Sequence, residues 1–379
     1  MRLPSSFPYR TVLFASWLIV QVTMLLFSGI NAGGESERFI READLLTKGE
    51  SFTSPAFYLY LVQILLIAIV HTTGAGYTPL IVLQMLLNLY ALHSLYKFIL
   101  RRRKSRKIAF FGGMLLVTCI PYQLYNTFLY TESIFFSLVI IYTTILLQVK
   151  KWTLQNILMI VLWMIALCFV RPTGLFLAFA TLIYFVMHLR KVSWLIKLPA
   201  LFFGTGIILY TIHLVLQTGR GIDPLTPFLY EHIICDVPGK KEGTELFLED
   251  GNNGLAALLN YVLNNPEHFA KMAVHKTAAF FGLYRPWYST LHNLAMMIYF
   301  FALYILIGVA VFRRGLTPAF VFTTCLTLVF WLFVIFSCDE WHNRFFLTLT
   351  PLLIICATAA FGKKERSNKL QRNVVEDEA

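Results

Sequence analysis

Charge is scarce in this chain. Asp, Glu, Lys and Arg make up only 14% of its 379 residues, where a soluble domain carries roughly 25%. With a mean hydropathy of +0.66 and 34 Phe, that excludes a water-soluble globule. The residue-by-residue alternation of barrel strands is absent, which excludes a membrane β-barrel. Metal-ligand spacing is absent from the six Cys (Cys119, Cys168, Cys235, Cys325, Cys338, Cys356) and from His232, His275 and His342. Most of the cysteines lie inside apolar runs and read as small buried hydrophobes, with only Cys235 and Cys338 facing water. Repeats and low-complexity tracts are absent too.

What remains is a succession of apolar runs, each about the 17 to 25 residues that a helix needs to cross hydrocarbon. Backbone in lipid must satisfy its own hydrogen bonds, so these runs are helices. The expected fold is all-α: a polytopic α-helical membrane protein of about ten transmembrane helices plus juxtamembrane or re-entrant helices. Residues 1–361 form one transmembrane domain, and 362–379 a disordered cytoplasmic tail. The first run, 11–30, has no small-residue cleavage site and reads as a retained anchor.

The net charge of +12 sits in short Lys/Arg clusters beside apolar runs, which is topogenic charge and not a nucleic-acid surface. Arg2 and Arg10 place the N-terminus in the cytoplasm and the polar loop 31–50 outside. The run at 56–70 is followed by a turn without Lys or Arg, and the next run ends in RRRKSRK at 101–107. A full crossing at 56–70 would put that basic block outside, so this run reads as a half-buried or re-entrant helix. Lys150-Lys151, Arg190-Lys191, Arg313-Arg314 and the tail are then all cytoplasmic. The segment 217–287 is external and carries a surface helix over 255–281, where Leu258, Leu259, Val262, Leu263, Phe269 and Met272 recur at helical spacing.

The external face collects Glu35, Glu37, Arg38, Arg41, Glu42, Asp44, Glu132, Arg171, Arg220, Asp223, Arg285, Asp339, Glu340 and Arg344. In the loop 31–50, NAGGESERFIREADLLTKGE, Glu35 and Arg38 are three apart and share a helix face, as do Arg38 and Glu42 at four apart. A self-neutralised helix lying on the membrane would show the same pattern. Likewise an interfacial arginine can simply snorkel to headgroups, and Glu132 at the start of a span can simply favour the helix dipole.

Glu35-Ser-Glu-Arg38-Phe39, followed by Ala43, Leu45-Leu46 and Gly49, resembles the first external loop of the GT-C glycosyltransferases, and among them the aminoarabinose and protein O-mannosyl transferase branch. Thr131-Glu132-Ser133, Arg171-Pro172-Thr173-Gly174, Asn265-Pro266, and Glu340-Trp-His-Asn-Arg344 with Pro351 match further along. The family usually has Asp at the first loop position; this chain has Glu35, with Glu37 as a second candidate.

The resemblance implies transfer of a sugar from a polyprenyl-phosphate donor to a lipid, glycan or protein acceptor, at the external (periplasmic) side of a bacterial plasma membrane. Glu35 or Glu37 would be the catalytic base. Arg38, Arg171, Arg285 and Arg344, with Glu132 and Glu340, would bind the phosphate or sugar, because guanidinium grips phosphate bidentately. No cofactor is required, although some relatives use a divalent cation, which Glu35 with Glu132 or Glu340 would hold. A polysaccharide polymerase or ligase shares the external arginines but lacks an acidic first loop. A flippase or transporter of lipid-linked sugars would show charged or broken segments at mid-membrane, and the spans here are almost free of charge.

Overall fold

The computed structural model describes residues 7–188, 193–195, 197–199, 201–206, 210, 224–237, 239, 246–247 and 255–361. Among these residues the structure is all-helical, with two isolated backbone bridges, Asn31 to Phe128 and Ile234 to Asp339, as the extended pairing. Arg220, Asp223 and the tail 362–379 lie outside the described residues.

In chain order the helices are α1 (Tyr9–Ser28), α2 (Glu35–Thr47), α3 (Leu61–Thr73, entered through a 3₁₀ turn Pro55–Tyr60), α4 (Thr78–Arg103), α5 (Arg106–Thr118), α6 (Ile120–Leu124), α7 (Glu132–Leu146), α8 (Leu154–Val170), α9 (Gly174–His188), α10 (Thr226–Leu229), α11 (Leu255–Asn264), α12 (Pro266–Gly282), α13 (Thr290–Arg314), α14 (Pro318–Phe336) and α15 (Arg344–Ala357). Their starts are encoded locally. Ser105, Thr153, Ser289 and Thr317 each accept a hydrogen bond from the backbone N–H three residues on, satisfying one of the open donors of a first turn.

Among the described residues, six helices are long and apolar enough to cross a membrane: Tyr9–Ser28, Pro55–Thr73, Thr78–Arg103, Thr290–Arg314, Pro318–Phe336 and Arg344–Phe361. A seventh arises if Arg106–Thr118 and Ile120–Thr127, bent by 65°, count as one span. Pro121 lacks an N–H, which accounts for the break. This is fewer than the expected ten or so. Glu132–Leu146, Leu154–Val170 and Gly174–Met187 are apolar but shorter, and much of the run expected over 194–216 lies outside the described residues.

The bundle has two unlike ends. At one, Tyr9 packs on Phe110 with ring centroids 5.6 Å apart, Phe111 packs on Phe361, Arg101 reaches Gln148 at 2.6 Å, and Arg313 and Arg314 donate to Ala360 O and Ala359 O. The basic ends of α4 and α13 therefore share this end, while Arg190-Lys191 lies outside the described residues. At the other, Ser28 meets Thr127 at 3.2 Å, and Gln84 donates to Phe128 O at 3.3 Å. Chain leaves α1 and enters α4 at this second end. Between them, α2 and α3 lie side by side, with Phe39 and Tyr60 rings 5.2 Å apart and His71 Nδ1 2.8 Å from Asp44 Oδ1. The α2–α3 excursion thus makes no net passage across the bundle, although Pro55–Thr73 has the length and apolarity for one.

The surface helix expected over 255–281 is two helices, α11 and α12. Pro266 cannot donate to the preceding turn. Asn265 fills the break, pairing with Phe247 N and O at 2.9 Å each. At the centre of the bundle, α15 is buried at every residue from Phe345 to Ala357, whereas the span of α1 is only 17% buried. Whatever α15 carries at its first residue is placed at the middle of the second end.

Candidate functional site

That first residue is Arg344. A cation at a helix N-terminus opposes the macrodipole, so it needs compensation, and it has three carboxylates. Arg344 Nη1 lies 2.9 Å from Glu132 Oε1 and also pairs with Glu35, while Nη2 lies 2.5 Å from Glu340 Oε2. Glu35 and Glu132 are themselves the first residues of α2 and α7, where the dipole favours negative charge. Arg171, the residue that ends α8, is where it favours positive charge, and its Nη1 sits 2.5 Å from Glu132 Oε1. Four helix ends far apart in sequence therefore meet at one spot, three of them carrying the charge that their dipole favours and the fourth, at Arg344, the opposite one.

Arg38 completes the group. It pairs with Glu35 one turn away and lies over the rings of Phe39 and Tyr60, at 4.9 and 5.2 Å. Ser36, Phe39, Glu42 and Ala43 form the buried face of α2, which fixes the helix rotation and turns Glu35 inward. Gly34 precedes it with φ +62°, and a Cβ there would lie 2.8 Å from the Tyr130 hydroxyl. That hydroxyl accepts a hydrogen bond from Glu35 N at 3.3 Å, so only glycine lets the loop approach so closely.

Six of the eight residues singled out from the sequence meet here: Glu35, Arg38, Glu132, Arg171, Glu340 and Arg344. Glu37 does not. Two residues along a helix is a rotation of about 200°, and Glu37 is exposed. Arg285 does not either. It is fully buried against Asp339, with Nη2 2.5 Å from Oδ2, and its remaining N–H groups donate to Ala279, Tyr284, Glu340 and Trp341 carbonyls. Its guanidinium is saturated, so it supports the turn behind Glu340 and has no donor left for a ligand.

Three guanidinium groups balance three carboxylates in the cluster, yet its hydrogen bonding is incomplete. Arg38 Nε, Arg344 Nε, Tyr125 OH and Thr173 Oγ1 are buried without a hydrogen-bond partner among the described residues. Buried donors are rarely left so. Tyr125 lies among Arg344, Glu132, Tyr288 and Arg171, and the Tyr130 ring centroid is 5.8 Å from the Arg344 guanidinium. Beside them, Tyr288 OH meets His342 Nδ1 at 3.0 Å. Burial and then the Arg344 charge hold His342 below the usual histidine range, which favours its neutral ring. Sequence reasoning passed over Tyr125 and Tyr130; Thr173 stood in the Arg-Pro-Thr-Gly motif unremarked.

The carboxylates point at arginine and do not converge on a shared vacant point. No group of three His, Cys, Asp or Glu is arranged for a metal ion among the described residues, so the arrangement does not fit the divalent cation that Glu35 with Glu132 or Glu340 could hold.

No family model, curated protein or solved structure matches this chain. The chemistry of the site therefore has to be argued from its own groups.

The cysteines hold one pairing that the sequence reading did not give. Cys235 and Cys338 are joined in a disulfide across 103 residues, whereas Cys119, Cys168, Cys325 and Cys356 are free. The signal was available, since these two alone were read as facing water.

Proposed function

We propose that the protein is a membrane glycosyltransferase of GT-C type, moving a sugar from a polyprenyl-phosphate donor to a hydroxyl acceptor on the external face. The observation that carries this reading is the meeting of Arg38, Arg171 and Arg344 with Glu35, Glu132 and Glu340 at one end of an apolar bundle. Unpartnered donors around them suit a ligand with several acceptor oxygens, and phosphate is such a ligand. The Cys235–Cys338 disulfide suits an oxidising compartment, and the gathering of basic clusters at the far end suits a cytoplasmic side there.

In the reaction, the acceptor oxygen forms a bond to the anomeric carbon as the bond from that carbon to the phosphate oxygen breaks. Polyprenyl phosphate leaves with the electron pair, and Glu35 takes the acceptor proton. A carboxylate gripped by two arginines is a weak base. An incoming donor phosphate competes for Arg38 and Arg344, and so releases Glu35 when the substrate is in place. The arginines then stabilise the charge that grows on the leaving phosphate.

The test is transfer of radiolabelled sugar from a polyprenyl-phosphate donor in reconstituted membranes. Glu35→Gln lowers turnover by about 10² to 10⁴, the usual cost of a lost general base, with donor binding nearly unchanged. Glu37→Gln stays close to wild type. Full activity in Glu35→Gln would remove the base, and with it the reading.

A further inference from the structure

Arg344 and Glu340 reach the cluster from a single turn, residues 338–343, and this turn is fastened from several directions at once. Cys338 is bonded to Cys235. Asp339 N donates to Ile233 O at 2.9 Å, and Cys235 N donates to Asp339 O at 2.8 Å. The indole N–H of Trp341 donates to Cys235 O at 2.6 Å. From the other side Arg285 binds the Asp339 carboxylate and the carbonyls of Glu340 and Trp341. Arg285 is in turn anchored to α13, through its own N–H to Asn293 Oδ1 and Asn293 Nδ2 to its carbonyl. At the exit, Asn343 takes φ +56° and donates from its side chain to Leu283 O at 3.2 Å.

None of these groups touches the cluster's carboxylates. They fix the backbone from which two members of the cluster project. The need is acute at Arg344, which sits at the dipole-disfavoured end of α15 and must meet carboxylates on two other segments, Glu35 of α2 and Glu132 of α7. Misplacement by about 1 Å can cost on the order of 10²-fold in a positioned site.

We infer that Arg285 and the Cys235–Cys338 disulfide are positioning elements of this site, holding the turn 338–343 so that Arg344 is presented to a phosphate ligand more firmly while the disulfide is closed. The inference rests on the proposed function for the identity of the ligand. The site is then redox-sensitive: two-electron reduction by a dithiol converts the disulfide to two thiols and frees one face of the turn. Arg285 remains as the second fastening, so reduction loosens the site without unfolding the bundle.

Two measurements on the full chain in detergent or nanodiscs test this. The first is hydrogen exchange with and without dithiothreitol, and in the Cys235→Ser/Cys338→Ser variant. The amides of Cys235 and Asp339 are expected to exchange at least about tenfold faster once the bridge is open, a factor equivalent to about 1.4 kcal/mol, while α15 and α2 stay protected. The second is binding of undecaprenyl phosphate, the leaving group of the proposed reaction. The dissociation constant is expected to rise about tenfold in the double variant and in reduced wild type, the size of one charge-assisted contact, with reoxidation restoring wild type only. Arg285→Ala gives the same rise, and Arg285→Lys recovers part of it.

If fewer molecules bind with an unchanged dissociation constant, the groups serve folding alone and the assignment is wrong. Equal affinity with the bridge open and closed overturns it as well. Should oxidised wild type bind no undecaprenyl phosphate, the functional reading itself falls. The exchange measurement then decides the tether by itself: faster exchange upholds it and unchanged exchange ends it.

Discussion

Arg285 and Arg344 lie in adjoining regions and both pair with carboxylate, but the first is fully buried and the second half-buried, and they differ further in how their donors are used. Arg285 has one carboxylate, Asp339, and spends its other donors on carbonyls of its own surroundings. Arg344 has three carboxylates, and its Nε has no hydrogen-bond partner among the described residues. Burying an ion pair is at best neutral for stability, while stripping one partner from a sole pair is expensive. A saturated pair is a fastening. An over-supplied cation with an idle donor is a place where something else can bind.

The two arginines should therefore fail in opposite ways. Arg285→Ala leaves Asp339 fully buried without its counter-charge, and burial already raises that carboxyl above its usual range. Thermal or denaturant unfolding should show a loss of about 3 to 5 kcal/mol. Arg344→Ala leaves Glu132 with Arg171 and Glu35 with Arg38, so stability falls less. Its main effect is on affinity for a polyprenyl phosphate, weakened by about 1.5 to 3 kcal/mol in a direct binding measurement. If Arg344→Ala proves the more destabilising and binds as well as wild type, the contrast is wrong.

A further cation, the fully buried Lys276, extends the comparison, because it has no carboxylate partner among the described residues. Its Nζ donates to Ile335 O at 3.3 Å and to Ser337 O, and stands 3.8 Å from the Phe228 ring centroid. It caps the C-terminal carbonyls of α14. Burial pulls its ammonium down to about 7, against about 10.4 in an unfolded chain. Between those values the unfolded chain holds the extra proton, so stability rises with pH through this window. The penalty is fully present below about pH 7. Stability measured from pH 7 to 10 should rise by at most about 1.4 kcal/mol per pH unit, and Lys276→Met should flatten that slope.

The smallest effect sharpens the site itself. Tyr125→Phe removes a hydroxyl that has no hydrogen-bond partner among the described residues, so stability should stay within about 0.5 kcal/mol. If that hydroxyl serves the ligand, polyprenyl-phosphate affinity should fall by about 0.5 to 1.5 kcal/mol. A stability loss with unchanged affinity would assign Tyr125 to the core.

Much of the cluster could be read from the chain because its members are local signals. Glu35 and Arg38 share a helix face, Glu132 opens an apolar run, Arg171 closes one, and Glu340 and Arg344 sit four apart at the start of another. A membrane forces polar residues to helix ends, so one-dimensional spacing already names the end on which they gather. Arg285 looked equivalent by the same logic. Its capture by Asp339 spans 54 residues and depends on a turn whose shape no periodicity records. The Cys235–Cys338 bridge and the placement of Tyr125 are likewise long-range. The number of spans is less legible than their character, because α7, α8 and α9 are apolar but short and much of the run expected over 194–216 lies outside the described residues.

The ion pair between Glu35 and Arg344 joins residues 309 apart in the chain. At a synthesis rate of about 5 to 20 residues per second, Glu35 is made roughly 15 to 60 s before its partner. It does not wait unpaired, since Arg38 follows within one turn, and Glu132 finds Arg171 after 39 residues. The cluster is thus built as two ready-made pairs that the last helix bridges. A chain that stops short of α15 can insert most of its helices and neutralise most of its buried charge, yet it lacks the one guanidinium that ties the halves together. The order of synthesis therefore leaves the two pairs unbridged until α15 has been made.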